Sequence, residues 1–587
     1  MNKAMSILWI AALILALAGS ALAETDTAPL TSLDMAHRMG NGTNLGNTME
    51  ACNNKLGRFS EDPHDYETLG GQPVTTPEML RGMKAAGFDT VRVPVAWMTN
   101  ATRLGEGDYT IDEAYMRRVQ EIVDSALDAG LYVILNDHWD GGWWGMFGSD
   151  TAETRALAME AYRGMWSQIA ARFRDYDERL VFEGANEEIG ARFDEDSPLF
   201  CTDSVRHILP DNQRYELANQ VNQAFVDTIR AAGGRNETRF LLIPGYGTNI
   251  DQTCDSRFKM PTDTVDSRLM ISVHFYDPWS YCGSANAASA TRWGTKKDLD
   301  TMNKTLSRMQ KFTSQGYGVV IGEYGALPGP DLKMKDNAVL YHENFILNCQ
   351  LYGYCGCLWD CSGFFVRKSL SFSDPDMEQL YARMRYDAAV PEADVKAGAK
   401  AKLDENVAAA PDTFLENAIE LTDDTCVAWI MWNSGDWAQS YSVGDTYTPD
   451  AVTPGMKVTD AVIEEPGTYT VALDFTGTEK GYSSSVAFSA IGIANGEILH
   501  PDWCVHIVEC LINGQPYTLK GRPYTTSDDG KCTRVNLFNG WVTAVPADAR
   551  VLYGPVIGAS PTLFDRNDDV FARIETISVT FKYEPRQ

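Results

Sequence analysis

Apolar residues fall in eight short runs: Arg38–Gly46, Asp89–Val95, Tyr132–Trp139, Leu180–Glu187, Arg239–Tyr246, Leu269–Tyr276, Gly318–Gly325 and Cys355–Cys361. Between several of them lie stretches with helical spacing: Thr76–Ala86, Asp112–Ala129, Ala152–Phe173, Tyr215–Ala231 and Asp298–Ser314. Short apolar runs alternating with amphipathic helices predict an α/β fold with a parallel sheet, and eight such units predict closure into a (β/α)8 TIM barrel. An open parallel sheet is the alternative. The barrel is placed at residues 24–392, with Asp376–Arg385 as its last helix. Residues 393–412, Ala- and Lys-rich over Ala397–Pro411, read as a linker or a loose connecting helix. The texture then changes. Val427–Trp432, Thr468–Phe475, Val486–Ile493, Val505–Ile512, Cys532–Phe538 and Ile574–Tyr583 are β-rich and separated by Gly, Pro, Asp and Asn. They predict a C-terminal β-sandwich over 413–587.

The amino terminus stands apart from this pattern. Lys3 is followed by the apolar run Ile7–Ala18 and by Ala21-Leu22-Ala23, a small-x-small cleavage site. Residues 1–23 therefore read as a secretory signal peptide, and its apolar run is short of the roughly 20 residues a membrane span needs. The expected product is a secreted, extracellular monomer. A formal charge of −30, from 50 basic and 80 acidic residues, repels phosphate backbones and anionic lipid. Nucleic acid and membrane surfaces are thereby disfavoured as partners, and so are polyanionic glycans, whereas a neutral polysaccharide meets no such field. Twelve cysteines suit an oxidising compartment, and their split between the two halves permits separate disulfide sets. No Cys-x-x-Cys pair occurs, so neither a metal nor any other cofactor is expected.

Chemistry concentrates at the carboxyl ends of the runs, where the βα-loops of a barrel form its cleft. Arg92, His138, Asn186, Glu187, His274, Tyr276, Glu323 and Trp359 all fall there. Side chains alternate along a strand. Glu183, Ala185 and Glu187 therefore share one face, as do Val319, Ile321 and Glu323. Two carboxylates on nearly opposite strands then face each other across the barrel mouth. Such a pair suits glycosidic cleavage, in which one carboxyl protonates the leaving oxygen while the other, ionised, meets the anomeric carbon. Arg92 favours ionisation of a neighbouring carboxylate. Asn186 suits a sugar 2-hydroxyl, and His138, His274 and Tyr276 can add hydrogen bonds. Glu183 reads as a deeper structural acceptor, and Glu188, of opposite parity, as outside the site. Trp97, Trp139, Trp143, Trp144, Trp279 and Trp359 lie in or just after strand ends, where flat indoles can face pyranose rings. Core packing is the competing reading for each. The Gly141-Gly142 turn favours exposure of Trp143 and Trp144.

Seven segments in register resemble a family: Gly42-Thr-Asn-Leu-Gly-Asn47, Gly87-Phe-Asp-Thr-Val-Arg-Val-Pro94, Asn136-Asp-His138, Phe182-Glu-Gly-Ala-Asn-Glu187, Val273-His-Phe-Tyr276, Ile321-Gly-Glu-Tyr-Gly325 and Trp359. Together they resemble glycoside hydrolase family 5, the large cellulase family. The resemblance implies a retaining endo-β-1,4-glucanase with Glu187 as acid/base and Glu323 as nucleophile. Arg92, His138, Asn186, His274, Tyr276 and Trp359 would support them, and Asn44 belongs to the substrate-binding set. Trp139 stands where many relatives carry a second His, which leaves the subfamily open. Xyloglucan or mannan cleavage by the same machinery is the near alternative, and a non-catalytic glycan-binding protein the distant one. An esterase is disfavoured because no Gly-x-Ser-x-Gly elbow occurs. The C-terminal module resembles carbohydrate-binding modules, with Trp437, Tyr441, Trp503 and Trp541 as candidate platforms.

Overall fold

The computed structural model describes residues 29–52, 60–103, 108–194, 209–283, 292–328, 333–414, 419–547, 549–550, 558–565 and 567–586. The expected signal peptide lies outside them. Eight parallel strands close into a barrel: β1 (Asn41–Asn44), β2 (Thr90–Val93), β3 (Tyr132–Asn136), β4 (Leu180–Glu183), β5 (Leu241–Pro244), β6 (Leu269–Phe275), β7 (Gly318–Tyr324) and β8 (Cys355–Leu358). Each pairs with its sequence neighbour, and β8 returns to β1 through Asn41–Gly356, Gly42–Cys357 and Thr43–Leu358. The strands are shorter than the apolar runs, because each run includes the first residues of the following loop.

The helices between them form where caps and spacing favour them. In chain order they include α1 (Ser32–Met39), α2 (Pro77–Ala86), α3 (Glu113–Asp128), α4 (Ala152–Arg172), α5 (Asp211–Ala231), α6 (Lys296–Ser307), α7 (Ala338–Tyr352) and α8 (Pro375–Arg383). Thr76 caps α2, with Pro77 inside the first turn, where a missing N–H costs nothing. Asp112 caps α3 and Thr151 caps α4.

The segment read as a linker or loose helix is an 18-residue helix, α9 (Glu392–Ala409), docked on the barrel. Its Ala399 and Leu403 are buried against Leu347 of α7.

The C-terminal region is a sandwich of two antiparallel sheets. β9 (Val427–Asn433), β11 (Phe488–Ala494) and β13 (Thr533–Asn539) are central to one; β10 (Gly467–Asp474), β12 (Trp503–Ile512) and β14 (Thr576–Pro585) make most of the other. Their inner faces share one hydrophobic core, which includes Trp429, Ile491, Val579 and Phe581.

The disulfide sets that the cysteine count permits are not formed at the buried positions. Cys282, Cys349, Cys355, Cys357, Cys426, Cys510 and Cys532 are buried thiols. The sulfurs of Cys355 and Cys357 lie 4.0 Å apart, far beyond the roughly 2 Å of an S–S bond.

Candidate active site

Arg92 organises the barrel mouth. It projects from β2 with no solvent exposure and donates in four directions. Nε meets Glu183 Oε2 at 2.7 Å, Nη1 meets Asn44 Oδ1 at 3.0 Å and Glu323 Oε1 at 2.9 Å, and Nη2 meets Asn186 Oδ1 at 2.8 Å. A buried guanidinium is tolerable only when so paired. Glu183 is the deep acceptor anticipated from its parity. Besides Arg92 it takes Ser272 Oγ at 2.6 Å and Asn136 Nδ2 at 3.1 Å.

Glu323 sits on β7 with both carboxylate oxygens engaged, Oε1 by Arg92 and Oε2 by the Tyr276 hydroxyl at 3.0 Å. Glu187 lies four residues beyond the end of β4, and its side chain is 27% exposed against 7% for Glu323. His274 Nδ1 stands 2.9 Å from Glu187 Oε1 and 3.6 Å from Glu323 Oε2, so it bridges the two acids. Carboxylate oxygens of Glu187 and Glu323 come within 4.8 Å of each other.

A local irregularity brings this about. Between β6 and β7 the register shifts, so that Val273 faces Ile321 but His274 faces Glu323, and Gly322 is left over. A β-carbon on Gly322 would stand 3.0 Å from Ser272 Oγ and 3.2 Å from His274 Nε2. Only glycine leaves His274 room there.

The electrostatics separate the two acids. Burial works to raise Glu187, but the hydrogen bond and charge of His274, with the charges of Arg192 and Arg92, overcome it and hold the carboxyl near 2. Glu323 is raised: burial and the charge of Glu187 outweigh His274, Arg92 and the Tyr276 hydroxyl. Burial also opposes the His274 cation, yet the charges of Glu323 and Glu187 raise it above an ordinary histidine. Burial and the nearby Arg92 charge hold His138 well below the ordinary range, so its ring is neutral. Glu187, Glu323 and His274 thus titrate as one set. Their ligand atoms are spaced as around a cation, but Arg92 and Arg192 already contact the carboxylates and oppose further positive charge.

Of the aromatic candidates, Trp359 is half-buried and stacks on the His138 ring at 5.7 Å and 6°. Trp279 is 66% exposed and meets Tyr276 edge-on at 6.1 Å. Trp139 is half-buried. The other aromatics are corrected by the structure. Trp97 is fully buried and donates its indole N–H to the Asn136 carbonyl at 2.8 Å, so it braces β3. Trp143 and Trp144 do not stand in an open loop. Gly141 and Gly142 both take positive φ and turn the chain into a short 3-10 helix, Trp143–Gly148. That helix packs both indoles among Phe147, Tyr162 and Phe193. Asn44 is also fully buried; it accepts from Arg92 and donates to the Gly322 carbonyl at 3.0 Å, which makes it a positioning residue.

Sequence reasoning missed Arg192. Its Nη2 lies 3.0 Å from Glu187 Oε2. It comes from the irregular Ala191–Asp194 turn, where no periodicity marks it. Also missed was a buried acidic group behind the site. Asp140 accepts from the Thr99 amide at 2.8 Å and from that of Met98, and burial lifts its carboxyl to about 6. Burial, with the charge of Asp140, raises the adjacent Asp137 well above the carboxylate range. Glu188 is buried, and burial with the charge of Glu187 pushes it up to about 8.

Known proteins resemble this arrangement over the barrel. The model of the cellulase family, glycosyl hydrolase family 5, matches residues 54–348. Endoglucanase A of Paenibacillus barcinonensis is 33% identical over 368 residues, which cover 58% of this chain and 84% of the relative. The xyloglucan-specific endo-β-1,4-glucanase of Bacteroides ovatus is 37% identical over 314 residues, 51% of this chain and 58% of that one. Among solved structures, a Bacteroides ovatus GH5 xyloglucanase in complex with a XXXG heptasaccharide superposes with a TM-score of 0.53 at 31% identity, covering 61% of this chain and 78% of that one. A GH5-4 broad-specificity endoglucanase from Ruminococcus champanellensis with bound cellotriose gives 0.51 at 32% identity, covering 61% and 99%. A family match over half the chain, on a TIM barrel with paired acids at its mouth, settles the assignment: the chain belongs to the cellulase family, glycosyl hydrolase family 5, and is a glycoside hydrolase.

Proposed function

We propose that the chain is a secreted retaining endo-β-1,4-glucanase, with Glu187 as acid/base and Glu323 as nucleophile. The observation that carries this is the unequal setting of two carboxyls whose oxygens come within 4.8 Å. Retaining enzymes place their carboxyl groups about 5–5.5 Å apart, whereas inverting ones need room for a water between acid and sugar. Arg92 and Tyr276 fix both oxygens of Glu323 in a buried position, which suits an attacking group. Glu187 is more exposed and lies 2.9 Å from His274 Nδ1, which suits a group that gives and retakes a proton.

In the first step the Glu323 carboxylate attacks the anomeric carbon. The glycosidic C–O bond breaks, and Glu187 gives its proton to the departing oxygen. In the second step Glu187, now ionised, takes a proton from water. The water oxygen attacks the anomeric carbon, the ester to Glu323 breaks, and configuration is retained overall. Asn186 gives its oxygen to Arg92, which leaves its amide N–H to donate to a sugar hydroxyl. Trp359, Trp279 and Trp139 are the surfaces for pyranose rings.

The relatives' names support a β-glucan backbone, and the xyloglucan-specific relative makes xyloglucan the second reading. Secretion rests on the 1–23 signal pattern. Among the described residues no helix is long and apolar enough to cross a membrane.

Reducing-sugar release from carboxymethylcellulose, mixed-linkage glucan, xyloglucan, glucomannan, mannan and xylan tests the reading, with Glu323→Gln alongside. We expect release from glucans, a loss of about 10^4-fold or more in the variant, and intact oligosaccharide binding. Release mainly from mannan would overturn the substrate, and near-normal turnover by Glu323→Gln would overturn the site.

A further inference from the structure

The C-terminal sandwich exposes two tryptophans side by side. Trp437 is 50% exposed and Trp541 56% exposed. Their ring planes are inclined by 25° with centroids 5.8 Å apart, and Trp541 in turn lies at 18° and 5.7 Å on the buried ring of Phe488. Large apolar side chains left in water are unfavourable, and adjacent ones mark a binding surface more often than a lone one does.

The backbone beneath them is built to hold this arrangement. Trp437 has φ 58°, the left-handed region, which is an outlier for a bulky residue and costs about 1–3 kcal/mol. The turn is pinned at several points. Trp437 N–H donates to the Ser434 carbonyl at 3.0 Å, and Gly435 N–H to Ser485 Oγ at 2.9 Å. Asp436 Oδ1 accepts from Ser434 Oγ at 2.7 Å and from the Ala438 amide at 3.1 Å. Trp541 N–H is fixed by Asn539 Oδ1 at 3.1 Å. Beside Trp541 lies a hollow of about 470 Å³ edged by Ser484, Asn567, Asp568 and Asp569. The other candidate platforms are less open. Tyr441 is fully buried with its hydroxyl on Asp460, and Trp503 is half-buried, stacked on His500 at 3.9 Å.

We propose that Trp437 and Trp541, on the C-terminal sandwich, form a second glycan platform that binds the β-glucan chain which the barrel cuts. This rests on the β-glucan reading above. A β-1,4-glucan chain is a flat ribbon with C–H groups on its faces and hydroxyls along its edges. Parallel indoles match the faces, and the carboxylate and amide rim beside Trp541 matches the edges. The rim is acidic, which opposes nucleic acid and anionic glycans. A platform on the same chain as the hydrolase raises the effective concentration of polymer at the cleft without altering the chemistry.

The test uses the full chain carrying Glu323→Gln, so that polymer is not consumed, with a saturating short cello-oligosaccharide occupying the cleft. Retention on cellulose and on mixed-linkage glucan is compared with and without Trp437→Ala and Trp541→Ala. Paired removal should weaken polymer binding at least about ten-fold, equivalent to roughly 1.4 kcal/mol. Trp437→Tyr and Trp541→Tyr should restore part of it. In the catalytically active background the paired alanines should leave hydrolysis of soluble short oligosaccharides unchanged, which also shows that the protein is folded. Unchanged polymer retention by the folded alanine variant overturns the proposal. So does a result in which the alanines abolish self-association in sedimentation but leave polymer retention intact, since the patch would then join two copies of the chain. Failure of the β-glucan reading is seen separately, in the substrate panel of the unsubstituted enzyme.

Discussion

At the residue scale the site is a problem of where one proton resides. In the proposed reaction Glu187 carries it before the first step, yet His274 and Arg192 both favour the ionised carboxylate. His274, whose Nδ1 is 2.9 Å away and which the charges of Glu323 and Glu187 raise against burial, is the group placed to supply it. Transfer across that hydrogen bond yields neutral Glu187 and neutral His274 without any exchange with solvent. The alkaline limb of the pH–rate profile then reports loss of the proton from the Glu187–His274 pair rather than from either residue. Arg192 favours that loss, because its guanidinium is 3.0 Å from Glu187 Oε2. Removing it leaves the proton more tightly held. Arg192→Ala should therefore move the alkaline limb of kcat/KM upward by roughly 0.5–1 pH unit, a modest shift because both side chains are partly solvated. Arg192→Lys should restore most of the original profile. A downward shift in Arg192→Ala, measured on a soluble glucan, would show that Arg192 serves substrate binding and not the proton.

At the level of elements, strand parity was the most informative signal in the sequence, and its limits are instructive. It placed Glu183, Glu187, His274 and Glu323 on inward faces, and all four meet at the barrel mouth. It could not show that β4 ends at Glu183, or that β6 and β7 change register at Gly322. Trp143 and Trp144 were misread for a related reason. A Gly-Gly turn shows where the chain bends, but not which neighbours receive the indoles that follow. Helix α9 was half-legible, because Leu403 is the one large apolar residue in its buried stripe, flanked by the small Ala399 and the polar Asn406. The register shift yields a sharp prediction. A methyl group on Gly322 would press on His274 Nε2 at 3.2 Å and on Ser272 Oγ at 3.0 Å, both inside a closed barrel. Displacing an imidazole that bridges the Glu187 and Glu323 carboxyls by a fraction of an ångström is costly if those groups act as proposed. Gly322→Ala should lower kcat/KM about ten- to hundred-fold while leaving the circular dichroism spectrum native. Activity within two-fold of the parent would mean that the shift does not position His274.

On the scale of the whole molecule, two cores are joined by a helix and a short connection. The barrel core and the sandwich core have no residue in common among the described residues. Among the described residues the contacts at their junction include the Arg292 guanidinium over the Phe414 ring at 5.8 Å. Lys296 N–H meets the Pro411 carbonyl at 3.0 Å, and Lys296 Nζ meets Asp412 at 2.8 Å in an exposed ion pair of the kind worth about 0–1 kcal/mol. Cooperativity follows shared burial, so the two units should melt separately. Ile491 offers a way to label one of them, since it is fully buried at the centre of the sandwich and lies far in sequence from any barrel element. Ile491→Ala removes about 2–5 kcal/mol from that unit, and a domain of this size loses roughly 2–4 °C in Tm per kcal/mol. Scanning calorimetry should therefore show two transitions in the parent. In the variant one should fall by roughly 4–20 °C, while the other, with hydrolysis of short oligosaccharides, stays in place. A single transition that moves as a whole would mean that the junction couples the units more strongly than its contacts suggest.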